Sequence, residues 1–224
     1  MSIFPSRHER LAANDSVAVL GLGRFGRALC VELTETGTDV LGVDIDIEPV
    51  QALSNRITQA VQADTTKEDV LEDLSIAEFD RVVVAIGADV KASILTASLV
   101  LRLGVPVVWA KGDDQQHAMI LEQLGVHKVL QPERDMGRRV AHLIRGQASD
   151  YVEIDPGYAM VKMATPKQLV ANPKTARQYK VIVTAYQAAD GTWVHTESTT
   201  VLHEGCQILV VGPTKGVEEF SKLK

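Results

Sequence analysis

The chain has 224 residues, of which 46 % are hydrophobic and 23 % charged, and its formal net charge is −6. This is room for one or two domains with a substantial core, at a composition ordinary for a globular protein. The acidic balance argues against a global pull towards nucleic acid, and no apolar stretch approaches the roughly 18 residues of a bilayer span.

Residues 1–14 are polar, with a basic cluster at Arg7, His8 and Arg10, and are expected to form a flexible tail without a secretory leader. Residues 17–20 are a short apolar run of the kind that makes a buried parallel strand. The sequence GLGRFG at 21–26 fits G-x-G-x-x-G, residues 28–33 carry helical periodicity, and a second apolar run at 40–43 ends in Asp44. Strand, glycine turn, helix, strand and acid in this order are the context of a Rossmann-like dinucleotide fingerprint. Each part has a physical task. Gly21 permits the tight turn, Gly23 lets the backbone approach a pyrophosphate, and Gly26 allows helix and strand to pack closely. The free N–H groups of the helix start point at the phosphates, and Asp44 accepts from ribose hydroxyls, which disfavours a 2′-phosphate and so NADP. The bland alternative is a nucleotide-free α/β turn.

Further along, residues 45–57 have helical spacing, with Pro49 in or near the first turn. Residues 59–62 read as a third strand ending at Ala63-Asp64, and Thr66 is a plausible N-cap for a short helix through Leu74. A fully buried fourth strand is expected at 81–86, closed by Gly87. It is followed by an amphipathic helix at 88–103 that Gly104 stops. Strand 106–110, helix 115–124, strand 128–131 and helix 132–145 complete the alternation. Strands and helices alternating through short loops imply a doubly wound parallel sheet with helices on both faces.

Near 146–150 the pattern changes. Residues 151–154 and 159–164 are strand-like, 167–177 is helical but interrupted by Asn172-Pro173, and 180–188 is a clear strand. Ala189-Asp190-Gly191 is a hairpin turn into 192–196, 207–211 is another strand, and 215–222 reads as a closing helix. The expected organisation is therefore a tail at 1–14, a nucleotide-binding domain at 15–146 and a small α+β domain at 150–224.

GLGRFG, VD at the second strand, AD-T at the third, AIGAD at the fourth, VWAKG at the fifth and QPERDMG after the sixth together resemble the RCK (KTN) domain. More narrowly, the chain resembles the cytosolic regulatory subunits of Ktr/Trk-type potassium uptake systems, of the KtrA kind. The resemblance implies ATP or ADP in the glycine cleft, with NAD or NADH as the alternative found in Trk-like relatives. Gly21, Gly23 and Gly26 would hold the phosphates, with Arg24, Phe25 and Ile45 as further cofactor-binding positions. Asp44 would meet the ribose, Asp64 and Thr65 the adenine side, and Ile86 and Gly87 the cleft wall. Arg24 and Lys111 would lie near the distal phosphates, where an Arg fork and a Lys point charge can sense a γ-phosphate. Glu133 matches an acid that binds a divalent cation beside the phosphates across a subunit interface, and an oxygen site of this kind suits Mg²⁺ or Ca²⁺. Arg24 also reads as a solvated helix-start arginine, and Glu133 as a first-turn glutamate stabilised by the helix dipole. The implied partner is a membrane potassium-translocating subunit, met by a dimer-based octameric ring at the inner face of the cell membrane. The resemblance is weaker in the small domain. Gly205-Cys206 stands where the family usually has glycine-aspartate, so a cyclic dinucleotide is not carried over to it.

Catalysis finds little support in the residues. None of the histidines at 8, 117, 127, 142, 195 and 203 forms H-E-x-x-H or pairs with cysteine at zinc spacing, and His117 and His142 are expected on helices that face solvent or a subunit contact. No G-x-S-x-G is present and no G-K-[ST] follows the glycine turn. Asp15, Asp89 and Asp135 read as capping or first-turn charges, and Cys30 and Cys206 as packed thiols in a reducing compartment. The alternatives to a gating-ring subunit are a small NAD-dependent oxidoreductase and a stand-alone nucleotide sensor.

Overall fold

The computed structural model describes residues 16–145, 148–197 and 199–223. The expected tail at 1–14, its basic cluster and Asp15 lie outside these residues. The chain divides into two compact units between Pro132 and Glu133.

The first unit is built on six parallel strands: β1 (Ser16–Leu20), β2 (Asp39–Asp44), β3 (Gln59–Gln62), β4 (Arg81–Val84), β5 (Val107–Lys111) and β6 (Lys128–Leu130). Their order is β3-β2-β1-β4-β5-β6. The chain winds outward from β1 in both directions, so the β1/β4 boundary is the switch point at which such sheets open a crevice. All five residues of β1 are buried, as expected of a central strand covered on both faces. Leu20 is in register with Val43 and with Val84, which brings the C-terminal ends of β1, β2 and β4 level.

Helices cover both faces. On one, α1 (Arg24–Glu35) and α2 (Ile47–Leu53) bury Cys30, Val50 and Leu53 against Val17, Val19 and Val83. On the other, α3 (Glu68–Asp73), α4 (Val90–Arg102) and α5 (Gln115–Gln123) bury Leu71, Val100 and Leu121 against Leu20, Leu41, Val82 and Val108. Both cysteines are free thiols, and burial pushes Cys30 up to about 12.

Three details differ from the sequence reading. The fourth strand ends at Val84, not residue 86, because Ala85 makes the last ladder bond to Leu20 O at 2.7 Å and Ile86 then turns away. The second helix begins at Ile47, leaving Ile45 and Asp46 in the loop. Thr66 does not cap α3. Its hydroxyl donates instead to Asp64 Oδ1 at 2.6 Å, and Lys67 takes the cap position without a side-chain bond.

The second unit holds α6 (Pro132–Arg145), β7 (Asp150–Asp155), β8 (Tyr158–Ala164), α7 (Lys167–Ala171), α8 (Thr175–Gln178), β9 (Ile182–Gln187), β10 (Trp193–His195), β11 (Gln207–Pro213) and α9 (Thr214–Phe220). Its strands form an antiparallel sheet of order β10-β9-β11-β8-β7 over a core of Tyr151, Val161, Met163, Ile208, Val210 and Phe220. Asn172-Pro173 splits the expected helix into α7 and α8. The helix α6 has no buried residue. It is fastened by Arg139 to Asp150 at 2.6 Å, by Arg138 to Glu153 at 3.2 Å, and by His142, which meets Glu218 at 2.5 Å and stacks on Tyr151 at 4.2 Å.

Candidate functional site

A cleft of about 600 Å³ opens at the C-terminal ends of β1 to β4, between the start of α2 and the first turns of α4. Its floor is the glycine turn. Gly21 has φ +103, and a Cβ there would lie 2.9 Å from the backbone of Ala85 and Ile86. A Cβ on Gly26 would lie 2.0 Å from Gly21 O. Gly23 differs: a Cβ would meet nothing within 4 Å. Two of the glycines are therefore demanded by the chain's own packing. The third, at the N-terminal edge of α1, faces open space in which a ligand's phosphates can approach the backbone.

Asp44 ties the floor to the wall. Its Oδ2 accepts from Leu22 N–H at 2.5 Å and its Oδ1 from Asp46 N–H at 2.9 Å. The carboxylate thereby fixes the glycine loop while its remaining lone pairs stay available to hydroxyl donors. On the β3 side, Asp64 closes a turn on Thr66. Hydrogen bonds from the Thr66 hydroxyl and N–H, with Lys67 nearby, hold its carboxyl below the usual range. Thr65 is buried and shares a 3.1 Å hydrogen bond with Thr96 of α4, which locks the two walls together. Ile45 is 61 % exposed and Leu95 43 % exposed, so both cleft lips present apolar side chains to which a flat base can be applied.

Of the residues singled out from sequence, Gly21, Gly23, Asp44, Ile45, Asp64, Thr65, Ile86 and Gly87 line this cleft. Gly26 lies directly beneath it, and Phe25 packs on the core under α1 and α2. Arg24 is the exposed first residue of α1, beside Gly23. Lys111 stands behind the wall, 8 % exposed, with its ammonium 3.8 Å from Asp113 Oδ1 and packed against Gly87. Glu133 is in the first turn of α6, in the second unit. Among the described residues no three His, Cys, Asp or Glu side chains are grouped to hold a metal ion.

Sequence reasoning missed Asp46, Pro49, Lys91, Ala92 and Leu95, which also line the cleft. The signal was present in α4: residues 91, 92 and 95 share one helix face, and following that face along the helix would have found them. His117 is a correction. It is 1 % exposed, not outward-facing, because its ring turns back to accept from Asp113 N–H at 3.2 Å. His142 is partly exposed on a helix without buried residues and is engaged in the contacts with Glu218 and Tyr151 given above.

Residues 17–132 match the TrkA-N domain family. The chain is 32 % identical over 210 residues to Ktr system potassium uptake protein C of Bacillus subtilis, covering 92 % of this chain and 95 % of that protein. It is 35 % identical over 201 residues to Ktr system potassium uptake protein A of Vibrio alginolyticus, covering 88 % and 91 %. Among solved structures, the GsuK RCK domain superposes with a TM-score of 0.64 at 15 % identity, over 94 % of this chain and 48 % of that one. The GsuK channel bound to NAD superposes with a TM-score of 0.65 at 15 % identity, over 95 % and 40 %. At that identity the two structures establish a shared fold, and this chain spans about half or less of their length.

Proposed function

The chain belongs to the TrkA-N family, among relatives named as potassium uptake proteins, and from that premise we propose that it is a nucleotide-sensing regulatory subunit of a membrane potassium-translocating protein. The observation that carries the proposal is the cleft itself. Gly21 and Gly26 are forced by packing, whereas Gly23 is left facing open space and Asp44 presents a carboxylate one strand away. Among the described residues no helix is long and apolar enough to cross a membrane. The subunit would act at the inner face of the membrane through its partner.

In this reading an adenine nucleotide lies across the ends of β1 and β2. Asp64 and Thr65 border the base, Asp44 the ribose, and the glycine turn the phosphates. Arg24 and Lys111 then stand towards the distal phosphates, where they respond to the extra charge that separates ATP from ADP. Glu133, with Mg²⁺ or Ca²⁺, adds a charge at the same end when copies pair. The subunit works as a dimer-based ring, octameric in its full form, and ATP and ADP favour different dimer angles. Each nucleotide shifts that equilibrium only by the difference in its affinity for the two arrangements.

Asp44 suits any nucleotide with a free ribose diol, so NAD or NADH is the second ligand to try. A titration of the full chain with ATP, ADP and NADH, read as a thermal shift, ranks them. The functional test is potassium flux through the reconstituted membrane subunit, with ATP or ADP, for wild type and Arg24→Ala. Flux is expected to differ between the nucleotides for wild type and to lose that difference in the variant. Equal flux in all four conditions, or turnover of NADH with a hydride acceptor, would replace this reading with a stand-alone sensor or an oxidoreductase.

A further inference from the structure

His117 is the third residue of α5, and its ring and the preceding loop hold each other. Asp114 caps the helix by accepting from His117 N–H at 2.8 Å, and His117 Nδ1 accepts in return from Asp113 N–H at 3.2 Å. This resembles a capping box, with an imidazole where glutamate or glutamine usually stands, except that the ring accepts from the residue before the N-cap. Because Nδ1 accepts, the proton of the neutral ring is on Nε2, which is buried without a partner among the described residues. Burial lowers the imidazole's proton affinity, against the pull of Asp114 and Asp113. An unpaired buried donor is costly, so a histidine is a poor choice if capping is the only task.

What the ring holds is Asp113. That residue's backbone N–H is tied to His117, and its Oδ1 lies 3.8 Å from Lys111 Nζ. A Cβ on Gly87, in the cleft wall, would lie 2.9 Å from Lys111 Nζ and 3.5 Å from Asp113 Oδ1. The contacts therefore run without a gap from α5 through Asp113 and Lys111 to the wall. We infer that His117 is a positioning residue: its Nδ1 acceptor fixes Asp113, and through it the Lys111 ammonium, so that discrimination between ATP and ADP depends on a side chain that never meets the nucleotide. The inference rests on the proposed reading of Lys111 as a distal-phosphate sensor.

The test is isothermal titration of the full chain with ATP, ADP and AMP, for wild type, Lys111→Met, His117→Leu and His117→Asn. AMP does not reach the distal end and reports on the integrity of the cleft. Asparagine keeps an acceptor near the position of Nδ1 without the ring. Lys111→Met is expected to bring the ATP-to-ADP affinity ratio close to one. His117→Leu should reduce the ratio by about tenfold, leaving AMP affinity as in wild type, and His117→Asn should restore it. If Lys111→Met abolishes the ratio and His117→Leu preserves it, the positioning role is overturned and the reading of Lys111 stands. If wild type shows no ratio, or Lys111→Met keeps it, the reading of Lys111 falls and the inference with it. Failure of asparagine to restore the ratio, or equal loss of AMP and ATP binding in His117→Leu, makes His117 a packing residue and also overturns the role.

Discussion

One glycine motif imposes three separate physical demands, and substitution separates them. A methyl group on Gly26 would sit 2.0 Å from Gly21 O, a backbone atom that cannot yield without unmaking the turn. Gly26→Ala is expected to cost about 3 kcal/mol or more, the upper range for overpacking, and to abolish nucleotide binding by distortion. Gly23→Ala meets no neighbour within 4 Å, and as an N-cap substitution it should cost under about 1 kcal/mol. Its effect is expected on affinity, because the methyl occupies the space the phosphates need. Urea unfolding and nucleotide titration of the two variants check both halves. A Gly23→Ala protein that binds like wild type would remove Gly23 from the site. Cys30 allows a pH prediction at the same scale. Its thiol ionises near 9.0 when unfolded and is held protonated to about 12 when folded. The resulting stabilisation is complete below the unfolded value and is lost as pH rises through that window, whereas Cys30→Ala should show a flatter fall in unfolding free energy above pH 9.

Helix starts decide how the elements meet the cleft. Asp89 accepts from Ala92 N–H at 2.9 Å and caps α4 beside the site. Asp89→Ala is expected to cost about 1 kcal/mol, a fall in melting temperature of about 2–4 °C for a chain of this size, measurable by calorimetry. The central strands β1 and β4 were legible because burial on both faces makes them nearly unbroken apolar runs, and the helix ends were legible where Gly104 and Gly125 adopt positive φ. The break at Asn172-Pro173 was legible because proline restricts the residue before it. Competition between local hydrogen bonds was not. Thr66 had the composition of a cap, but Asp64 captured it first. Likewise Asp114-x-x-His117 carries the spacing of a capping box, but a search for glutamate or glutamine passes over histidine. Lys91 was missed for a geometric reason: membership of the cleft belongs to a helix face, while the motif AIGAD ended at Asp89.

Each unit has a core of its own, and the cleft is made entirely from β1 to β4, the loops after them, α2 and α4, all in the first. On the proposed reading, nucleotide binding alone would therefore stabilise only the first unit, by about 2.7 kcal/mol at a hundredfold excess over Kd. A sensor has to do more. The quantity that matters is the difference between ATP and ADP, since a ligand with equal preference for two arrangements moves neither. If ATP and ADP differ tenfold in their preference at each site, a pair of coupled sites shifts the equilibrium about a hundredfold, roughly 2.7 kcal/mol. That is enough to invert a modestly biased pair of states. Hydrogen exchange and small-angle scattering of the full chain at saturating ATP and ADP test whether such a difference exists. The expected outcome is a change in scattering between the two nucleotides, with altered protection in the second unit's β8 and β11. If the two curves superpose and every exchange difference stays within residues 16–132, the nucleotide is a structural cofactor of the first unit and the signal must originate elsewhere.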